Sequence, residues 1–151
     1  MSAAQNIPGP RLWLVLAKAY GSMASYIERC VAAQGLCLSD FMVMEALLHK
    51  GPLTMSAIGE KVLLASASMT SAVDRLAERG LVRRKESAED RRVRMVELTA
   101  AGKRFISALY AQHERDLEAI AADLSAAERR QLYEGLKKLG LAAKAAASVP
   151  T

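Results

Sequence analysis

Residues 52–99 read PLTMSAIGEKVLLASASMTSAVDRLAERGLVRRKESAEDRRVRMVELT, and this stretch decides the fold. In its first part, apolar residues recur three and four positions apart, which predicts two short helices joined by an apolar turn at residues 62–65. Its last part has two short runs, 81–85 and 93–98, separated by a polar loop, which predicts a hairpin. A helix, a turn, a second helix and a basic hairpin form a unit suited to duplex DNA.

The second of these helices has one apolar stripe and one polar face. The stripe is formed by Met69, Ala72, Val73 and Leu76. It predicts a helix over residues 67–79, about 20 Å long, which fits a major groove. Short polar side chains at the start of such a helix meet base edges, and the helix amides meet phosphates. The candidate DNA contacts here are Ser66, Ser68, Thr70, Ser71 and Arg75; serines in these positions are also common as caps and solvated surface residues.

The predicted hairpin is crowded with basic residues: Arg83, Arg84, Lys85, Arg91, Arg92 and Arg94. A surface hairpin can also carry charged residues of this kind simply because they keep the protein soluble. However, Asp90 lies beside two arginines at the tip, which indicates a carboxylate that orients a guanidinium. An arginine held in this way can enter a narrow minor groove, where the potential is most negative. The candidate DNA contacts of the hairpin are Arg84, Asp90, Arg91 and Arg92.

The composition bounds the class of protein. A chain of 151 residues predicts one domain, and its scarcity of aromatic residues, 5%, together with abundant Ala and Leu favours helix. The net charge of +5 suits a polyanionic partner without identifying one. Two cysteines form no disulfide framework, and no Cys/His cluster has metal-ligand spacing. With no signal peptide and no apolar run of membrane-spanning length, we expect a reduced, cytoplasmic protein without a metal, a cofactor or a membrane partner.

A long helix precedes the stretch. Apolar residues alternate at spacings of three and four after Arg11 and stop near Gly35: Leu12, Leu16, Ala19, Met23, Tyr26 and Cys30. A stripe of this length needs a long partner helix, in its own chain or in another. Ser39 is then a candidate N-cap for a second helix, with Asp40 favourably placed for the helix dipole.

Two further helices follow the hairpin. Thr99 is a candidate N-cap of a fifth helix. Ser125 and Glu128 have the spacing of a capping box, which begins a sixth. Gly140 lies inside this sixth helix and costs it about 1 kcal/mol relative to alanine, which favours fraying beyond it. His49 and His113 stand isolated in the sequence, as surface or cap residues rather than ligands.

The segment from Ser68 to Gly102 resembles the signature of the MarR family, the multiple-antibiotic-resistance type of bacterial regulators. The matching residues are Leu76, Gly80-Leu81-Val82, the triplet Asp90-Arg91-Arg92, Leu98-Thr99 and Gly102. Met69 and Ala77 depart slightly from the commonest residues. Since the order of the helices also agrees, the resemblance extends over nearly all of residues 11–146.

The resemblance implies a mainly α protein with a small β wing, a winged helix-turn-helix with a helical dimerisation domain. Residues 1–151 would form a single MarR-like domain, in which 39–99 bind double-stranded DNA and 11–35 and 100–146 form the homodimer. The fourth helix would enter the major groove. By the same resemblance, Arg92 would enter the minor groove at the wing tip, Asp90 would orient it, and Arg91 would contact a phosphate.

The resemblance also implies an effector site. MarR-like proteins often bind small phenolic or other aromatic compounds between the dimerisation domain and the DNA-binding region. The candidate residues are Trp13, Tyr20, Phe41 and Met44, each of which also suits a hydrophobic core. Some members sense oxidants with a cysteine near the end of the first helix, so Cys30 and Cys37 are candidate redox residues.

The sequence therefore predicts a dimeric transcription regulator, a repressor that a small molecule releases from a palindromic operator. Half-site centres would lie about one helical turn, ~34 Å, apart. Two alternatives stay open: a redox-sensing regulator of the same fold using Cys30 or Cys37, and a module that binds DNA non-specifically or binds an acidic protein. An enzyme is disfavoured, because the sequence has no nucleophile elbow, phosphate loop or paired catalytic carboxylates.

Overall fold

The computed structural model describes residues 6–62 and 66–148, with the backbone alone at 66 and 67. The fold is mainly helical with a small antiparallel sheet, as the sequence predicts. The helices are α1 (Gly9–Ala32), α2 (Leu38–Lys50), α3 (Met55–Lys61), α4 (Ser66–Glu78), α5 (Ala100–Ile120) and α6 (Ala126–Ala147). The strands are β1 (Leu53–Thr54), β2 (Val82–Glu86) and β3 (Arg94–Leu98). The chain divides into two compact units between His113 and Glu114, within α5.

Most helix boundaries lie close to those predicted, because they depend on local signals. Thr54 caps α3 by accepting a hydrogen bond from the Ala57 N–H at 3.1 Å. Gly35 follows α1 with a φ of +71°, a conformation that favours glycine. The prediction for α2 was wrong by two residues: Cys37 is its N-cap and Ser39 lies inside the helix. Of the predicted turn at 62–65, residues 63–65 lie outside the described part of the chain.

The sheet joins the hairpin to the rest of the first unit. Its strand order is β1-β3-β2, with all pairs antiparallel. Leu53 pairs with Val96, and Val82 pairs with Leu98, so β3 lies in the middle. Val82 and Val96 are buried while the loop between the strands is exposed. The hairpin is thus anchored at its base and projects its tip into solvent.

The core of the first unit contains the predicted inward face of α4. Met69, Ala72, Val73 and Leu76 are all buried, as their spacing indicates. They lie in one hydrophobic cluster with residues of α2, α3, β3 and α5, among them Val43, Met44, Ile58, Val96 and Ile106. The position of α4 is therefore fixed by burial of this face, and its opposite face is left to solvent.

A close backbone approach joins the base of the hairpin to α5. Thr99 accepts a hydrogen bond from the Gly102 N–H at 3.0 Å, which confirms it as the cap of α5, and its hydroxyl donates to the Gly80 carbonyl at 2.6 Å. A Cβ built on Gly102 would overlap the Leu81 carbonyl oxygen. Glycine at 102 is therefore required by the space available.

The second unit contains the end of α5, a short 3₁₀ turn at Ala121–Asp123 and α6. The predicted capping box is present: Ser125 N–H donates to the Glu128 carboxylate at 2.8 Å, and Glu128 N–H donates to the Ser125 hydroxyl at 3.3 Å. The hydrogen bonds from the Ser125 hydroxyl and N–H lower the pKa of Glu128. This contribution to stability is present at neutral pH and is lost as the pH falls through the lowered pKa. The helix continues past Gly140 to Ala147 without interruption.

Gly102→Ala is expected to lower the free energy of unfolding by about 3 kcal/mol, because the added methyl group forces the backbone at Leu81 to move. Gly140→Ala is the matched control. Nothing lies within 4 Å of a Cβ at that helical position, so the same substitution should stabilise by up to about 1 kcal/mol. Urea unfolding of both variants at one protein concentration measures the difference. Equal effects would contradict the assigned contact.

Candidate nucleic-acid interface

The outer face of α4 presents short polar side chains to solvent. Ser68, Thr70, Ser71 and Asp74 are exposed, opposite the buried stripe. Because the stripe holds the helix in place, these side chains have a fixed direction relative to the core. The side chain of Ser66, another predicted contact, lies outside the described part of the chain.

Arg75 has a partner that the sequence analysis did not foresee. Its Nε and Nη2 donate to the Asp40 carboxylate at 3.1 and 2.7 Å, and Nη2 also donates to the Ser39 hydroxyl at 3.2 Å. The Asp40 side chain is 4% exposed and that of Arg75 is 42% exposed. The other carboxylate oxygen accepts the Cys37 N–H at 3.0 Å. Asp40 therefore joins the start of α2 to the last turn of α4.

This pairing limits the reach of Arg75, which the sequence predicts as a DNA contact. A guanidinium held at the start of α2 has little freedom to extend toward a base edge. The hydrogen bond with Asp40 raises the pKa of Arg75, against a smaller opposite effect of desolvation, so the group stays charged. The sequence predicts that Asp40 stabilises α2 through the helix dipole. In the structure its carboxylate also accepts hydrogen bonds from the start of α2 and from α4.

A second ion pair joins the hairpin to α4. Arg84 Nη2 donates to the Asp74 carboxylate at 2.6 Å, and both side chains are substantially exposed. Next to it, Arg83 pairs with Glu97 at 2.6 Å and Lys85 approaches the same carboxylate at 3.8 Å. The basic residues of β2 are thus largely matched by acidic ones. Exposed pairs of this kind contribute little to stability, but they orient the two elements relative to each other.

The tip of the hairpin is ordered through its backbone. The Asp90 carboxylate accepts the Arg92 N–H at 2.9 Å, and the Asp90 carbonyl accepts the Val93 N–H at 2.9 Å. The predicted contact between Asp90 and an arginine guanidinium is not made; Asp90 instead fixes the main chain that carries Arg92. Across residues 6–62 and 66–148, neither Arg91 nor Arg92 forms an ion pair. Both side chains are exposed.

The four candidate effector residues lie in two different environments, two in the hydrophobic core and two on the surface of α1. Phe41 and Met44 are buried in the hydrophobic core, because α2 packs more than one face into it. Trp13 and Tyr20 lie exposed on α1. Phe41 and Met44 are therefore core residues in this chain. Of the candidate redox residues, Cys30 is half-buried and Cys37 is exposed, and both are free thiols.

Both histidines contact aromatic rings, and His49 is exposed, as the sequence predicts. The His113 ring contacts Phe41 at 4.8 Å between centroids, and His49 contacts Tyr110 at 4.7 Å. Together these rings connect α2 to α5. The spacing of Tyr110 and His113 along one helix face was the available signal. No group of three or more potential metal ligands occurs among the described residues, and within that same part of the chain no helix is long and apolar enough to cross a membrane.

Comparison with known proteins supports a regulator. The sequence pattern of the MarR family matches residues 36–93. The HTH-type transcriptional regulator MhqR of Bacillus subtilis (strain 168) is similar at 36% identity over 134 residues, which cover 89% of this chain and 92% of that protein. The chain belongs to the MarR family. The predicted family is confirmed, as is the prediction of a transcription regulator rather than an enzyme.

Solved structures of regulators share the MarR-type fold. The regulator BldR from Sulfolobus solfataricus has a TM-score of 0.76 at 25% identity, over 85% of this chain and 91% of that one. BpsR of Bordetella bronchiseptica, whose DNA binding is regulated by 6-hydroxynicotinic acid, has a TM-score of 0.77 at 22% identity, over 86% and 98%. The second likeness concerns the fold alone. The predicted winged helix-turn-helix architecture is confirmed.

Asp40→Ala should lower the free energy of unfolding by about 2 kcal/mol, since it removes both the charged hydrogen-bond acceptor of Arg75 and the acceptor of the Cys37 N–H. Asp74→Ala removes an arginine partner of the same chemistry from an exposed pair, and should cost less than about 1 kcal/mol. Urea unfolding of the two variants at matched concentration gives the comparison. A loss at Asp40 no larger than that at Asp74 would show that the buried pair does not hold α2 to α4.

Proposed function

We propose that this MarR-family protein is a homodimeric repressor that binds a palindromic operator in double-stranded DNA. The observation that supports it most directly is the joint geometry of α4 and the hairpin. One helix has an exposed polar face, and the hairpin beside it carries Arg91 and Arg92 at its tip, neither of which forms an ion pair with the described residues. The Arg84–Asp74 pair connects the two elements, so a helix in the major groove would direct the hairpin to the adjacent minor groove.

In this proposal the residues divide by role. Ser66, Ser68 and Thr70 are the candidate base contacts of α4, Arg92 would enter the minor groove, and Arg91 would contact a phosphate. Asp90 would act on Arg92 through the main chain, where the structure has its hydrogen bond. Arg84 would set the direction of the hairpin. Binding to chromosomal DNA would place the protein in the cytoplasm.

The proposed dimer follows from exposed apolar residues in each of the two units. In α1, Leu12, Trp13 and Met23 are exposed. In α6, Leu132, Leu136 and Leu139 are exposed at helical spacing. Soluble chains rarely leave series of large apolar side chains in water, and burial of such series between two copies is the usual solution. Residues 11–35 and 100–146 would then be the dimerisation part of one MarR-like domain.

Release of the repressor by a small aromatic molecule is the second part of the proposal. Regulation of BpsR by 6-hydroxynicotinic acid gives one precedent in a protein of the same fold. Phe41 and Met44 are core residues here, so Trp13 and Tyr20 are the candidate aromatic contacts that remain accessible in a single chain. An effector acts only if it binds the DNA-free form more tightly than the DNA-bound form.

Arg92→Ala should weaken operator binding by roughly 1–3 kcal/mol and reduce the slope of log affinity against log salt by about 1, because one cation at the wing tip is lost. The operator is obtained by selection from random duplex DNA, and affinity is measured by fluorescence anisotropy. Arg130→Ala, which removes an exposed arginine from α6, is the control and should retain wild-type affinity. Wild-type binding by Arg92→Ala would overturn the wing assignment. Equal affinity of the wild-type protein for all duplexes would favour the non-specific alternative.

Sedimentation should show a dimer at micromolar concentration, and Met23→Lys should shift it toward monomer. Met23 lies on the apolar stripe of α1 and is 42% exposed in the single chain, so a charge there would be buried at the interface. Ser22→Lys adds the same charge about 100° around the helix and should disturb the dimer less. A wild-type monomer would refute the proposed architecture.

A further inference from the structure

A polar cleft lies between the start of α2 and the N-terminal half of α4. Its volume is about 390 Å³, and it is lined by Ser39, Ser68, Ser71 and Arg75. Among the described residues, the side chains that line it are those of three serines and one arginine. Such a cleft differs from the sites of drug-sized ligands, which have mostly apolar walls with a few polar groups. Its chemistry suits a small, strongly hydrogen-bonding anion.

The guanidinium in this cleft is held in place before any ligand arrives. Asp40 and Ser39 accept hydrogen bonds from Nε and Nη2 of Arg75. The remaining nitrogen, Nη1, makes no hydrogen bond to the described residues, and it carries two N–H groups. Arg75 therefore keeps two donors for a ligand, and little side-chain freedom remains to be lost on binding.

The backbone around the cleft adds a favourable field. Ser39 is the second residue of α2, and Ser68 lies in the first turn of α4. Amide N–H groups in a first turn lack acceptors within their own helix and carry partial positive charge. The first turns of two helices therefore each contribute a residue to the cleft that Arg75 lines.

We propose that this cleft holds one phosphodiester group of the DNA backbone, bound by the hydroxyls of Ser39 and Ser71 and by Nη1 of Arg75. The inference rests on the proposed DNA-binding function. It gives this cleft the role of positioning α4 on the DNA. A phosphate held between α2 and α4 fixes how far α4 enters the groove, while Thr70 and the hairpin tip lie elsewhere on the surface. Ser39 thereby becomes a DNA contact, and Ser71 and Arg75 contact the backbone and not the bases.

The charges around the cleft give this site a distinctive salt dependence. Arg75 and the buried Asp40 sum to no net charge, so the phosphate is held mainly by hydrogen bonds to the two hydroxyls and the guanidinium. Salt dependence reports the cations that a protein places on phosphates. Loss of a serine hydroxyl here therefore lowers affinity without changing the salt slope, unlike loss of an unpaired wing arginine.

The test measures the binding of Ser39→Ala, Ser71→Ala and the double variant to the selected operator and to a random duplex. The double variant should bind both about 5- to 30-fold more weakly, with an unchanged ratio between them and an unchanged salt slope. Ser107→Ala, an exposed serine of α5, is the matched control. The side-chain hydrogen bonds of Arg75 go to Asp40 and Ser39 and not to Ser71, so Ser71→Ala tests the site even if Ser39→Ala disturbs Arg75.

A second arm locates the phosphate. Single methylphosphonate linkages, which are neutral, are placed at each position of the operator in turn. At one position per half-site, the substitution should weaken wild-type binding and have a much smaller effect on the double variant. Wild-type affinity of the double variant, a loss confined to the operator, or equal methylphosphonate effects at every position would each overturn the phosphate site. If the wild-type protein prefers no duplex, the proposed function itself fails.

Discussion

The contact between Asp40 and Arg75 determines how the DNA-binding surface is presented. The carboxylate is almost completely buried and satisfies partners from two helices: the Cys37 N–H at the start of α2 and the guanidinium from the last turn of α4. A buried charge without such partners would be strongly unfavourable, so neither helix can move away from Asp40 at low cost. Hydrophobic burial places α4 on the core, and this polar contact fixes its position along α2.

Several arginines near this surface fall into two groups, those with a partner in the chain and those without one among the described residues. Arg75, Arg83 and Arg84 have carboxylate partners within the chain, and Arg79 donates to the Gly35 carbonyl at 2.8 Å. These arginines orient protein elements, and part of their charge is already neutralised. In the described chain, Arg91 and Arg92 at the hairpin tip have no such partner. The positive potential of the wing is therefore concentrated at its tip, where a narrow groove would meet it.

Local features of the fold could be predicted from the sequence, and distant contacts could not. The stripe of Met69, Val73 and Leu76 follows from helical periodicity alone, and the caps at Thr54, Thr99 and Ser125 depend on neighbours three residues away. Asp40 and Arg75 are 35 residues apart, and nothing in their spacing indicates that they meet. Phe41 and Met44 were assigned to an effector site because aromatic and thioether side chains suit both a core and a ligand. Both side chains are almost completely buried in the structure, so they are part of the hydrophobic core.

The sequence therefore predicts the positions of the site residues on α4, but it does not predict their roles. Arginine and serine on a recognition helix are the expected residues for base readout, yet their role depends on what else can bind them. Asp40 occupies one edge of Arg75 and leaves the other edge facing a polar cleft. A guanidinium fixed in this way loses little side-chain entropy on binding, but it cannot extend far from the protein surface. It is better suited to a backbone phosphate at constant distance than to a base whose identity changes from site to site. In the proposed function, specificity would then depend on the other exposed polar side chains of α4 and on the arginines at the tip of the wing.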